Sequence, residues 1–151
     1  MGNYRMIFFS VVVALLVHFS NAVLILKTSV SAPLVDAWNQ EIETIAKDCG
    51  KKPPLPANYV VEFGDTEEAI GYCQHYPNGF KIVLKEDYWN RILDKAGKRQ
   101  LLLHEMMHCI FYTKHNTEDP NNFMYPEFTK ISEQVLLEQV KVVIKASKMC
   151  D

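Results

Sequence analysis

The chain has 151 residues, of which 48% are hydrophobic and 23% charged, which suits one globular domain with a single core. Its 16 basic and 18 acidic residues leave a net charge of -2, so no cationic field exists to recruit phosphate backbones. Nucleic acid is therefore excluded as an expected partner.

Met1 to Arg5 carries one positive charge, and residues 6–17 form an apolar run broken only by Ser10. Ser20-x-Ala22 fits the small-x-small pattern of signal peptidase sites, so residues 1–22 read as a signal peptide cleaved after Ala22. The mature chain, residues 23–151, would then be secreted or periplasmic. The rival reading is an uncleaved anchor, since residues 23–26 resume the apolar run and bring it to about the 20 residues of a bilayer span. A membrane is an expected partner only in that case. The four cysteines, Cys49, Cys73, Cys109 and Cys150, all follow the cleavage site, and an even number in an exported chain reads as disulfides. Of three pairings the expectation is Cys49 with Cys73 and Cys109 with Cys150, against free buried thiols if the chain is not exported.

Leu34, Trp38, Ile42, Ile45 and Ala46 recur at helical spacing after Pro33, and Gly50 follows as a stop, which predicts an amphipathic helix over residues 33–48. After a Pro-rich connector, Tyr59 to Phe63 predicts a strand ending at Gly64-Asp65, and Asp65 or Thr66 starts a short turn. Residues 71–75 and 80–85 flank Tyr76-Pro77-Asn78-Gly79, whose Asn-Gly pair signals a β-hairpin. Residues 86–93 predict a helical turn or two, interrupted at Gly97 before a helix of about 13 residues begins near Lys98. Residues 112–128 read as a loop, and Ile131, Val135, Leu136, Val140, Val143 and Ile144 mark a last helix to about Ser147. Strands early and helices late imply an α+β domain with a small twisted sheet against two long helices.

The chemistry lies in Leu101-Leu102-Leu103-His104-Glu105-Met106-Met107-His108. Histidines four apart share one helix face, so two imidazoles can reach one ion. Glu105, about 100° round the helix from His104, can stand beside a metal-activated water without ligating, as general base. Two solvated surface histidines are the bland alternative, but the apolar flanks would half-bury these rings and leave them needing a partner. Catalytic zinc takes three protein ligands, and His115 is the nearest third candidate. An acidic residue could serve instead, Glu127 standing nearest the thermolysin-like interval, with Glu118 and Asp119 also within reach of a loop. His18 should leave with the signal peptide, and His75 reads as a hairpin surface residue.

Together with Asn122-Phe123-Met124-Tyr125-Pro126, this stretch resembles the metzincin clan of zinc peptidases, in particular matrixin-like members whose third histidine precedes a Met-Tyr-Pro turn. The resemblance covers about residues 101–126. It implies a metzincin-like zincin fold, Zn2+ bound by His104, His108 and His115, Glu105 as base, and Met124 in a hydrophobic turn beneath the metal. The clan motif H-E-x-x-H-x-x-G-x-x-H is departed from: the last interval has one extra residue, and Phe111 or Tyr112 takes the glycine's place. This is similar to a variant subfamily of secreted bacterial relatives with H-E-x-x-H-C and a late histidine, and a wider turn would replace the glycine.

The expectation is thus a zinc metallopeptidase domain over residues 23–151, an endopeptidase acting on protein or peptide substrates. An extended substrate would pair with an edge strand, for which residues 80–85 are the candidate, and residues 120–128 would shape the pocket after the scissile bond. Tyr125 is read equally as oxyanion donor or packing residue. Cys73 as a latency thiolate is less expected than Cys73 in a disulfide. A rival from another class is a non-catalytic exported binding module with a structural or vestigial zinc site.

Overall fold

A computed structural model describes residues 28–150. The expected signal peptide, its cleavage after Ala22 and the rival anchor lie outside them. Among the described residues no helix is long and apolar enough to cross a membrane.

Four strands, β1 (Ser29–Val30), β2 (Asn58–Phe63), β3 (Gly71–Tyr76) and β4 (Gly79–Leu84), form one mixed sheet in the order β1-β2-β4-β3. β1 and β4 run parallel to β2, whereas β3 runs antiparallel to β4. The hairpin is where the sequence places it, but its turn is Pro77-Asn78, with Tyr76 paired to Gly79. Gly79 answers a different need: a Cβ there would lie 1.9 Å from the Asn58 carbonyl oxygen on β2. The edge-strand expectation for residues 80–85 is corrected. β4 buries Phe80, Ile82, Val83 and Leu84, so the more apolar arm of the hairpin takes the interior position and β3 becomes the edge.

Four helices follow a 3-10 turn at Ala32–Leu34: α1 (Val35–Cys49), α2 (Glu86–Arg91), α3 (Lys95–Phe111) and α4 (Glu133–Ser147). α1 closes on Gly50 at φ 68°. Gly97 does not interrupt α3, because the Asp94 carboxylate caps the helix by accepting from the Gly97 amide at 2.9 Å and draws that residue into the first turn. α3 is the central element, burying Leu101, Leu102, Leu103, Met106, Met107, Cys109, Ile110 and Phe111. One side of it meets β3 and β4, and α1 and α4 cover the other. The α+β class stands, but three long helices are present and α3 lies between the sheet and the other two. α1 joins α3 through charge as well: Arg99 donates from Nε to Glu41 at 2.8 Å and from Nη2 to Thr44 at 2.8 Å, and it also meets Glu133 of α4.

The disulfides are Cys49–Cys150 and Cys73–Cys109, which corrects the expected pairing. Pairing follows the approach of elements and not proximity in sequence. The ends of α1 and of the chain after α4 meet, with Cα atoms 5.0 Å apart, and β3 lies against α3 with the second pair 5.6 Å apart. No free cysteine remains among the described residues, so Cys73 offers no thiolate to the site.

Candidate metal centre

α3 carries His104 and His108 on its cleft side, four residues apart, and the two rings meet edge on at 4.7 Å between centroids. Each Nδ1 faces a backbone carbonyl: His104 that of Phe123 at 2.7 Å, His108 that of Thr113. A carbonyl only accepts, so both rings carry their proton on Nδ1 and turn an Nε2 lone pair to the centre. The first of these carbonyls is itself held. Gln139 of α4 accepts from the Phe123 amide at 2.8 Å and donates to the Asn121 carbonyl at 3.2 Å.

His115 arrives from the loop after α3. Tyr112 ends the helix in the left-handed conformation at φ 55°, and the Thr113 amide reaches back to the Met107 carbonyl at 3.1 Å. That closure spans one residue more than a Schellman turn, which accommodates the longer histidine interval. A side chain in this conformation costs about 1–2 kcal/mol where glycine would cost none. On the far side of His115, the Asn116 amide donates to the Met124 carbonyl at 2.9 Å. The loop is thus fixed both before and after the ligand, and Met124 is buried behind it.

The result is a group of three: ligand atoms of His104, His108 and His115 lie within 4.8 Å of one another, with Nε2 separations of 3.0 Å for His104 to His108 and 3.2 Å for His104 to His115. Two ligands of a tetrahedral ion with bonds of about 2.0–2.1 Å stand about 3.3 Å apart. Two unprotonated nitrogens facing each other at such distances repel unless a cation lies between them, so the donor set fits a divalent metal ion. Burial pushes His104 down to about 4, helped by His108 and His115 and opposed by the Phe123 carbonyl. His108 is lowered by burial as well, with His115 and His75 adding and Thr113 opposing. Both are thereby kept in the neutral, ligating form. Among the described residues no carboxylate joins the group, neither Glu127 nor Glu118 nor Asp119.

Glu105 lies beside the group and outside it. It is 4% exposed, has no hydrogen-bond partner among the described residues, and burial alone pushes its carboxyl up to about 8. Its room comes from β3. A Cβ on Gly71 would stand 3.0 Å from the Glu105 Oε1 and 3.0 Å from Leu84 Cδ2, so a larger residue would crowd this carboxyl by a few tenths of an ångström.

The three histidines and Glu105 open into a cleft of about 780 Å³. The edge strand supplies Gly71, Tyr72, Cys73 and His75 to one wall, and Phe123, Tyr125, Pro126, Glu127 and Phe128 form another. Tyr125 and Glu127 thus reach the cleft, whereas Glu118 and Asp119 do not line it; their amides bind the Asn116 side chain. His75 is exposed on the hairpin, as expected, and it also has partners there. Its ring stacks on Tyr112 at 4.6 Å with planes 15° apart, and its Nε2 lies 3.2 Å from the His108 carbonyl. The sequence holds one signal for this: on a strand, His75 shares a face with Cys73, two residues before it. Gln100 carries no comparable signal, and it fixes the segment behind the cleft by donating to the Thr129 carbonyl and accepting from the Ile131 amide. No family model, curated protein or solved structure matches this chain.

Proposed function

We propose that this chain is a metal-dependent hydrolase of the zincin type, and within that class a metzincin-like zinc endopeptidase that works outside the cytoplasm. The observation that carries the reading is the convergence of three imidazole Nε2 atoms beside an unpartnered, buried glutamate at the floor of an open cleft. His104, His108 and His115 would hold the ion, and three protein ligands leave one coordination position open, as catalytic and not structural zinc requires. When bound, zinc supplies Lewis acidity to a substrate carbonyl and to water near neutral pH.

Glu105 accepts the proton of the attacking water and returns it to the leaving amine. Burial raises the proton affinity of this carboxyl, and the charge of a bound cation would lower it again, so that the group can both take and give a proton near neutral pH. An extended peptide would add to the outer edge of β3, whose backbone groups are unpaired on that side and which runs along the cleft past Glu105. Gly71 admits that close approach. Tyr125 is one of the cleft hydroxyls that could serve a developing oxyanion, and Met124 supports the turn that orients His104 through Phe123. Two disulfides accord with an oxidising compartment and hence with export.

The deciding test is metal content of the purified protein, wild type beside His115→Ala, with casein cleavage and a chelator control on the same samples. One zinc per wild-type chain, weakened by the substitution and matched by chelator-sensitive cleavage, is expected. A folded wild type that binds no metal and cleaves nothing would sink the reading in favour of a binding module.

A further inference from the structure

We infer that Tyr112 is a substrate-binding platform, and that the end of the cleft formed by His75 and Tyr112 selects a planar, aromatic side chain of the bound peptide. The inference rests on reading the cleft as peptide-binding and adds a specificity that the metal centre does not imply. Three observations carry it. Tyr112 occupies a helix-ending position with φ 55°, the conformation that Lys148 also adopts after α4, and this turn sets it at the rim of the cleft. The residue is 67% exposed, and it lines the cleft. One face of that ring is backed by the His75 ring at 4.6 Å and 15°, which fixes the plane and leaves the other face for a ligand.

The backing ring is itself anchored. His75 reaches the His108 carbonyl at 3.2 Å, and the Cys73–Cys109 bridge two residues earlier on β3 holds the same strand to the same helix. An aromatic side chain with few torsions and one face already stacked needs less ordering when a ligand arrives, which is how such platforms gain affinity at low entropic cost.

The test is a set of peptides that differ at one position as Phe, Leu or Ala, assayed for cleavage by wild-type, Tyr112→Phe and Tyr112→Leu proteins. Binding is measured in parallel by fluorescence anisotropy on the zinc-loaded Glu105→Gln chain with and without Tyr112→Leu. Offset stacking beyond equal apolar burial predicts a Phe-over-Leu preference of about three- to tenfold. That ratio should survive in Tyr112→Phe and fall to about one in Tyr112→Leu. Because it is a ratio within one sample, partial unfolding or metal loss does not move it. Cleavage with no Phe preference at any position overturns the platform and leaves the peptidase reading standing. If zinc is bound and no peptide is cleaved, the peptidase reading falls. The platform is then judged on binding alone, where a preference lost in Tyr112→Leu upholds it and equal binding overturns it.

Discussion

Two carboxylates are buried against α3, and the molecule treats them differently. Glu41, 2% exposed, comes from α1 and meets the Arg99 guanidinium, with Thr44 sharing the same cation; burial raises its pKa and Arg99 opposes the rise. Glu105, 4% exposed, turns to the cleft and meets nothing. Ionising a carboxyl away from water is costly unless a cation or donors stand by. In the helical layer that cost is offset by a paired charge. In the cleft it is left uncompensated, which is what a group that must move a proton needs. The pairing of Glu41 is itself one-sided, since Arg99 meets Oε1 while Oε2 is buried without a partner; what sets Glu105 apart is that no cation stands beside it and that it faces the cleft.

Breaking the uncompensated side should have the largest effect. Glu105→Gln is expected to lower peptide cleavage on the order of 10²–10⁴-fold while metal content and melting temperature stay near wild type, because the carboxyl has no partner to lose. Cleavage at the wild-type rate in a zinc-loaded sample would remove Glu105 from the mechanism. On the compensated side, Arg99→Met should cost about 3–5 kcal/mol in denaturant unfolding, since it leaves Glu41 buried without its cation. Adding Glu41→Gln to that variant should restore part of the loss, and a double variant no more stable than the single would refute the pairing argument.

The two disulfides sharpen the same contrast between frame and site. Replacing either pair by alanines should cost about 2–4 kcal/mol, more for Cys49–Cys150, whose residues lie 101 apart in sequence, than for Cys73–Cys109 at 36. Only the second pair joins the edge strand to the helix of the histidines, so only its loss should also weaken zinc binding, read by chelator competition at a temperature where both variants are folded. Smallest is a surface effect at the start of α3. Asp94 is held below the ordinary carboxyl range by Lys130 and by the Gly97 amide. A lowered folded value means that its contribution is present above the ordinary carboxyl range and lost as pH falls through the folded one. Asp94→Asn should accordingly flatten the acid limb of the stability curve as pH falls below about 4 and change little at neutral pH.

Much of the frame is legible in residue order because it rests on local periodicity. Leu34, Trp38 and Ile45 are buried as their spacing predicts, and so are Leu136, Val140 and Ile144 on the last helix. His104 and His108 share one face of α3 for the same reason, since a spacing of four is a statement about a single helix. Gly97 misleads because glycine inside a cap-stabilised first turn looks like a break until Asp94 is seen to accept from it. Residues 80–85 mislead because which arm of a hairpin lies inside depends on β2, another part of the chain.

By itself, then, the sequence determined the α+β class and the histidine pair with Glu105 between them, both of which are written in short-range order. Only the tertiary structure decided that His115 stands within reach of the histidine pair, that Cys73 pairs with Cys109, that β3 is the exposed edge, and that His75 stacks on a left-handed Tyr112. Each of these joins residues from different elements. Such contacts are fixed by how whole faces pack and by which charges and carbonyls are thereby left to be satisfied, and no spacing along one segment encodes that choice.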